Sequence, residues 1–110
     1  QGRAKVWACI NGTGTPSLSD SFNCTSVADN GTGDYTLGFS ISMANTNYCA
    51  VGMSENWEGT NSDSYTAISE MKDVRAVNTL RFRCLRLRFD QQPPQFQDSV
   101  HMGIAIFGDV

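Results

Sequence analysis

The sequence predicts an all-β fold, an antiparallel β-sandwich of jelly-roll-like arrangement with about eight short strands. Apolar residues alternate with polar or small residues along most of the chain, which is the period of half-buried strands. Clusters of Asn, Gly, Ser, Asp and Pro separate these stretches, and such clusters form turns. The stretches follow one another at about the 8–12 residue spacing that is typical of a sandwich or barrel.

The first half of the chain supplies three predicted strands. The first covers residues 3–10. Ala4, Val6, Ala8 and Ile10 lie on one side of this strand, and Lys5, Trp7 and Cys9 lie on the other. The next two, 21–29 and 34–41, flank Asn30 and Gly31. Asn-Gly is the strongest two-residue signal for a type I′ turn, because both residues tolerate positive φ. We therefore expect a hairpin with its turn at Asn30-Gly31.

The second half continues the pattern. Its predicted strands are 47–53, 64–71, 80–89 and 101–108. A helix over 62–77 is an alternative, because apolar residues recur there at i, i+4 and i+7. The β-branched and aromatic content of this segment favours strands with a turn at Lys72-Asp73.

Two polar stretches, 54–64 and 90–99, are predicted to be exposed loops, and a Pro-Pro pair prevents regular strand pairing in the second. In each loop an aromatic residue, Trp57 or Phe96, lies among amides and carboxylates. Such a setting holds sugars by ring stacking and hydrogen bonds. The candidate glycan-binding residues are Asn56, Trp57, Glu58, Asn61, Asp63, Tyr65, Gln92, Gln95 and Phe96. The alternative is that Trp57 packs on its own sandwich or on a neighbouring subunit.

Four of the eight basic residues lie in the single predicted strand RFRCLRLRF. They are Arg81, Arg83, Arg86 and Arg88. The first two share one strand parity and the last two the other, so we expect a bulge between Cys84 and Leu85 or a change of exposed face. Since a strand cannot bury four unpaired arginines, three interpretations stay open. They are a solvated sheet face, pairing between subunits with acids such as Glu70, Asp73 or Asp90, and binding of an anionic glycan or lipopolysaccharide phosphate.

Length and composition bound the function. The chain has 110 residues, of which 40% are hydrophobic, and this suits one domain over residues 1–110 with a modest core. It begins with Gln and its first Met is Met43, so we expect a piece of a longer protein. A net charge of −3 argues against non-specific nucleic-acid binding. No apolar run approaches the roughly 18 residues of a membrane span.

The four cysteines do not have the spacing of a metal site. Cys9, Cys24, Cys49 and Cys84 include no CxxC pair, and zinc sites usually need one. Two disulfides with three possible connectivities remain open. Each cysteine lies in an apolar stretch, however, which favours buried free thiols.

The tetrapeptide NGTG occurs twice, at 11–14 and 30–33. Phosphate binding is disfavoured because neither copy has the Lys of a P-loop, and a strand rather than a helix follows. The flanking strands do not match each other, so an internal repeat is not supported. Asn11, Asn23 and Asn30 are glycosylation acceptors only in a secretory pathway. Both copies are therefore interpreted as turns.

No constellation of catalytic residues is evident. His101 is the single histidine, no GxSxG elbow exists, and a strand-edge or interface histidine is the expectation. A glycosidase needs two carboxylates about 5–10 Å apart on rigid strands, whereas Glu55, Glu58 and Asp63 lie in a polar loop. Calcium binding by that loop stays open, although its spacing is not that of an EF-hand. We expect no enzyme, no cofactor and no resident metal.

Four pieces of the chain resemble the C-terminal domain of bacteriophage tail fibre and tail spike proteins. They are KVWACINGTGT (5–15), SVADNGTGDYTLGF (26–39), MANTNY (43–48) and GIAIFGD (103–109). Their order and approximate spacing match that family, and DNGTGDYT is the most specific block. The stretches 54–64 and 88–99 have no counterpart in the pattern, which suits variable contacts with the host. The four cysteines and the arginine-rich strand depart from it.

The resemblance implies a homotrimeric fibre-tip domain that binds a host cell-surface receptor, a glycan or an outer-membrane component, during adsorption. It places the chain at the virion fibre tip after assembly in the bacterial cytoplasm, with no nucleic-acid partner and no membrane insertion. A reducing cytosol favours free thiols and makes the sequons irrelevant. Two alternatives remain: a structural trimerisation or capping knob without a receptor site, and a small polysaccharide-degrading enzyme.

Overall fold

The computed structural model describes residues 2–55, 64–88 and 95–110, and for Ser64, Tyr65 and Arg88 it describes the backbone alone. The described residues form two antiparallel sheets that pack face to face, so the predicted β-sandwich is confirmed. Within these ranges, no helix is long and apolar enough to cross a membrane.

The described residues form nine strands, one more than the roughly eight expected. They are β1 (Val6–Asn11), β2 (Ser17–Phe22), β3 (Cys24–Gly31), β4 (Asp34–Phe39), β5 (Cys49–Ser54), β6 (Ser64–Glu70), β7 (Thr79–Arg88), β8 (Gln95–Phe96) and β9 (Met102–Phe107). Sheet A has the order β2-β1-β9-β5, and sheet B has the order β3-β4-β7-β6 with β8 paired to β7. The first and last strands are neighbours, and the chain crosses between the sheets before and after β5, which is a jelly-roll-like path.

The prediction of an exposed loop over 90–99 is wrong at Gln95–Phe96, which form β8 against β7. The predicted strand over 21–29 is in addition divided between β2 and β3 at Asn23. This residue has a φ of 60°, a left-handed conformation that asparagine tolerates better than most residues. Its side-chain amide donates a hydrogen bond of 2.8 Å to the carbonyl oxygen of Lys5. The chain therefore bends here and passes from β2 in sheet A to β3 in sheet B.

The core lies between the two sheets. Its buried residues are Val6, Ala8, Ile10, Tyr35, Leu37, Phe39, Met43, Tyr48, Leu80, Phe82, Cys84, Met102, Ile104 and Ile106. Most of them occupy alternate positions of β1, β4, β7 and β9, so the alternation predicted for these strands is confirmed. The remaining strands contribute little to the core, and β2, β3 and β5 are mostly exposed.

The hairpin predicted around the second NGTG is confirmed, but its turn lies two residues later than expected. β3 continues through Asn30 to Gly31, and the chain turns at Thr32-Gly33. Gly31 and Gly33 have φ values of 131° and 66°, whereas Asn30 is not among the residues with positive φ. The type I′ turn at Asn30-Gly31 is therefore wrong. The reason is local: the register shifts between Asp29 and Gly31, and the Asp29 carboxylate accepts a 2.9 Å hydrogen bond from the Gly31 amide.

The segment after β6 turns where the sequence predicted. β6 ends at Glu70, and Lys72-Asp73 forms a turn in which Asp73 has a φ of 63°. The strand interpretation of this segment is thus confirmed over the helix. An Asp in the left-handed region is one of the few non-glycine residues that tolerate it.

All four cysteines are free thiols, but they differ in exposure. Cys84 is buried in the core and Cys24 is half-buried. Cys9 and Cys49 are exposed, so the prediction of buried thiols is wrong for these two. They occupy outward positions on β1 and β5, where an apolar neighbourhood in the sequence does not mean burial.

The two ends of the sandwich differ in what they carry. One end, called the loop end, carries both NGTG turns and the strand ends that flank 56–63 and 89–94. The other end, called the terminal end, carries the first and last described residues. There the Lys5 amide donates to the Ile106 carbonyl, and the Ala44 amide donates to the Asp109 carbonyl, each at 2.8 Å.

Candidate functional site

The two predicted binding loops leave the sandwich from adjacent positions at the loop end. The first connects β5 with β6, and the second connects β7 with β8. Ser64, the first residue of β6, pairs with Arg88, the last residue of β7. The loops are far apart in the sequence, so their common origin becomes visible only when β6 and β7 are paired.

Several predicted binding residues lie outside the described part of the chain. These are Asn56, Trp57, Glu58, Asn61, Asp63 and Gln92. Tyr65 and Arg88 are placed by their backbones, on β6 and β7. The predicted residues whose side chains are described are Arg81, Arg83, Arg86, Gln95 and Phe96.

Arg83 and Phe96 form a cation–aromatic pair on the outer face of sheet B. The guanidinium carbon of Arg83 lies 5.2 Å from the centroid of the Phe96 ring. β8 holds the ring in place because Phe96 pairs with Leu85 of β7. The ring remains 46% exposed, next to the exposed Gln95. The pair offers a flat apolar surface with a cation behind it, at the base of the second loop.

Arg81 is engaged within its own chain. It forms a bidentate ion pair with Asp34, with nitrogen–oxygen distances of 3.0 and 2.8 Å. Asp34 is only 7% exposed, and the hydrogen bonds from Arg81 hold the pKa of its carboxyl below the usual value. The sequence had suggested other acids as partners for Arg81. A cross-strand pair on neighbouring strands explains both residues instead.

One acid suggested as a partner for these arginines is engaged at the terminal end. Glu70 accepts two hydrogen bonds from Arg75, at 2.7 and 2.6 Å. The Arg75 guanidinium also lies 4.3 Å from the Tyr48 ring centroid and donates to the carbonyls of Thr46 and Tyr48. Arg75 therefore fastens the 40–48 segment to the end of β6, a role that the sequence did not indicate.

The four arginines of β7 change from one side of the strand to the other without a β-bulge. β7 pairs with β6 without a register shift through the whole of 82–88, so the predicted bulge between Cys84 and Leu85 is wrong. Arg86 lies on the same side of β7 as Phe82 and Cys84, but beyond the end of the apolar core. There the space between the sheets becomes polar, and the buried Thr66 hydroxyl donates to the Glu55 carbonyl at 2.7 Å.

A buried hydrogen-bond network supports the loop end from below. The Tyr35 hydroxyl lies 2.5 Å from the Asp98 carboxylate and 2.9 Å from the Gly12 carbonyl oxygen. The same carboxylate accepts a 2.8 Å hydrogen bond from the Gly33 amide. Burial, and then the bond to Asp98, raise the pKa of Tyr35 far above its usual range.

This network joins the two NGTG turns to each other and to the segment that carries β8. A side chain at Gly12 would place its Cβ 2.5 Å from the Tyr35 hydroxyl oxygen. At Gly33 a Cβ would lie 2.6 Å from the Cys84 carbonyl oxygen. Both glycines are thus required by close packing, and Gly33, with a φ of 66°, is required by turn geometry as well. The sequence indicated their turns but not their shared contact with Asp98.

Comparisons with other proteins leave the chain without a family. No protein-family model, no curated protein and no solved structure matches it. The site must therefore be judged from its own residues. In the part of the chain that the structure describes, no group of His, Cys, Asp or Glu side chains is placed to hold a metal ion. His101 is exposed, at the loop end just before β9.

A second candidate surface is the outer face of sheet A, called face A. Its first cross-strand row is Phe22, Trp7, Ala105 and Val51. Its second row is Asp20, Cys9, Gly103 and Met53. A shallow groove of about 350 Å³ crosses the middle of this face. The sequence had placed Trp7 and Cys9 on the same side of β1, but it gave no indication that this side faces outward or that four strands would join their outward residues into one apolar surface.

Proposed function

We propose that this chain is the receptor-binding tip domain of a phage fibre, and that its loop end contacts a glycan or other outer-membrane component of the host cell. The observation that carries the proposal is the common origin of the two loops. Their flanking residues Ser64 and Arg88 are paired, and the exposed Phe96 lies across β7 from β6, paired with Leu85. The resemblance of DNGTGDYT and its neighbouring blocks to phage fibres supplies the biological setting.

The chemistry of the described residues suits a sugar. An exposed ring such as that of Phe96 stacks against the C–H groups of a pyranose, and the amide of Gln95 can bond to its hydroxyls. Arg83 adds a positive charge that favours acidic sugars or phosphate. Among the described residues Arg83 forms no ion pair and lies beside the exposed Phe96, whereas Arg81 is committed to Asp34. The anionic-ligand interpretation therefore applies to Arg83 rather than to Arg81.

The loop end is also accessible by its position. The first and last described residues lie at the terminal end, on the far side of the core. The rigid network of Tyr35, Asp98 and the two glycines fixes the base of the loops, so a ligand would meet a preformed support. Weak single-site binding would be raised by several copies on one fibre, three by the resemblance.

An adsorption competition tests the proposal. The purified chain is mixed with susceptible cells before phage is added, and its binding to a panel of lipopolysaccharides is measured in parallel. We expect Phe96→Ala to weaken both by about tenfold or more, with Arg83→Gln weakening binding to phosphorylated lipopolysaccharide most. Val74→Ala is the matched control, because Val74 is 44% exposed but lies outside the loop end.

The same experiment separates the alternatives. Melting temperatures should stay within about 2 °C in all variants, since exposed side chains contribute little to stability. A folded chain that neither blocks attachment nor binds any lipopolysaccharide would reject receptor binding and leave the structural knob, which the apolar face A favours. Release of reducing sugar from host polysaccharide would instead support the enzyme.

A further inference from the structure

We propose that face A is an interface between copies of this chain, in which a ridge on one copy fills a groove on another. The ridge is formed by Val51 and Met53 on β5, and the floor of the groove by Gly103 and Ala105 on β9. This inference does not depend on what the loop end binds.

Face A is apolar and strongly exposed. Met53 is 79% exposed, Val51 51% and Phe22 48%, although each could have been polar at no cost to the core. In the two cross-strand rows, β1, β9 and β5 contribute no charged side chain, and Asp20 stands at the β2 margin. Contiguous apolar patches of this kind on a soluble domain mark interaction sites.

The shape of face A is complementary to itself. Gly103 and Ala105 are the small residues of the central strand, and a Cβ added at Gly103 would meet nothing within 4 Å. The neighbouring Val51 and Met53 rise one strand spacing away, about 4.8 Å. A two-fold axis parallel to the strands, between β5 and β9, would place the ridge of each copy over the floor of the other. A ring of three copies can use the same two features in each of its contacts.

The area of this contact can be estimated from the strand spacing. Under the two-fold axis, β5 and β9 of each copy overlap and β1 borders the contact. Three strands about 4.8 Å apart and six residues long present roughly 300 Å² in projection. Two such surfaces would together remove on the order of 600 Å² from solvent, and more when side-chain relief is included, which is the size of a weak and reversible interface. Stacked sheets pack about 10 Å apart, and small floor residues with larger ridge residues suit that spacing.

A small molecule or a lipid surface would fit face A less well than a second copy of the chain. The groove is shallow and open, so it would leave most of a small molecule in solvent, whereas ligand pockets usually enclose their ligand. A lipid surface is usually bound by an apolar face with lysines or arginines at its rim. The two rows of face A contain no lysine or arginine and end in Asp20, Lys5 is the single basic residue that alternates with Trp7 and Cys9, and the chain carries a net charge of −3. A flat apolar face without charge is best covered by another flat apolar face.

Sedimentation velocity over a range of concentrations tests the inference with two matched alanines. Ala105→Lys places a charge at the centre of face A, and Ala28→Lys places the same charge on β3, next to the outward Thr36 of sheet B. Gly103→Gln fills the groove floor without adding charge. We expect the unaltered chain to associate with a Kd on the order of 10 µM. Ala105→Lys should weaken this at least about 30-fold and Gly103→Gln about tenfold, with Ala28→Lys within about twofold.

Each outcome of this experiment either supports or overturns the interface on face A. Dimers or trimers that are lost in both face A variants, but retained in Ala28→Lys, support the interface, provided that all variants melt like the unaltered chain. The inference is overturned if the chain stays monomeric up to about 200 µM, or if all variants associate equally. A monomer that binds phosphatidylcholine vesicles through face A would also overturn it, because lipid would then be the occupant.

Discussion

The two sheets share one core but have opposite outer faces. On sheet B polar outward residues are paired within the chain, since Arg81 pairs with Asp34 and the Asn30 amide donates a 2.8 Å hydrogen bond to Thr36. Arg83 and the exposed Phe96 form the exception at the loop end. On sheet A the outward residues are apolar, and Met53 is 79% exposed. Both sheets alternate in the same way along their strands, so the contrast concerns only the side that points away from the core.

This contrast indicates which outward residues would gain stability from contact with another molecule. A polar outer face is stable in water without such contact, and the ion pair of sheet B lies on strands that are already paired. An apolar outer face leaves its area in contact with water, and its burial would be favourable at about 25 cal/mol per Å². We therefore propose that face A serves assembly, and that the loop end with the adjoining edge of sheet B serves host contact.

The largest expected effect concerns the junction that both sheets share. Gly12→Ala would place a Cβ 2.5 Å from the Tyr35 hydroxyl and 2.6 Å from the Met102 methyl group. We expect a loss of about 2 kcal/mol in the free energy of unfolding, measured by urea denaturation, because a filled core must shift.

Gly103→Ala is the matched control for this prediction, since its Cβ has open space on face A. It should leave stability unchanged or raise it by up to about 0.5 kcal/mol, because alanine restricts the unfolded chain. Equal losses in the two variants would contradict the distinction between a packed junction and an open face.

A smaller effect is expected from the outer face of sheet B. Arg81 lowers the folded-state pKa of Asp34, so the stability that the pair contributes is present above the ordinary carboxyl value and is lost as pH falls through the folded-state pKa. Asp34→Asn should therefore melt lower than the unaltered chain at about pH 7, and the difference should vanish near pH 2.

Self-association of the chain distinguishes this substitution on sheet B from the substitutions on sheet A. Because Asp34 lies on the outer face of sheet B, its substitution should leave the self-association of the chain unchanged. A melting difference that persists undiminished at low pH would show that Asp34→Asn acts through packing and that the ion pair contributes nothing.

Much of the fold could be predicted from the sequence, because the alternation of a strand depends only on residues that are neighbours in the chain. The alternation along β1 and the turn at Lys72-Asp73 were both predicted. The turn of the second NGTG was misplaced because the register shifts between Asp29 and Gly31, and the distant Asp98 then holds the Gly33 amide. The division at Asn23 was missed for a similar reason, since its amide bonds to the distant Lys5 carbonyl.

The candidate sites were less predictable because they depend on which strands are neighbours. Arg81 and Asp34 lie 47 positions apart in the sequence, and the pairing of β4 with β7 brings them together. The common origin of the two loops likewise depends on the pairing of β6 with β7. Face A needs four strands in register before Met53 and Trp7 belong to one surface.

Alkylation of the native thiols tests the central contrast most directly. Cys9 lines the groove of face A and is exposed in the single chain, whereas burial raises the pKa of the Cys84 and Cys24 thiols and slows their reaction. Brief iodoacetamide treatment of the reduced chain, read by peptide mass spectrometry, should modify Cys9 rapidly at about 1 µM and at least fivefold more slowly at about 100 µM, where copies associate. A Cys9 that reacts equally at both concentrations would contradict the assignment of face A as the interface between copies.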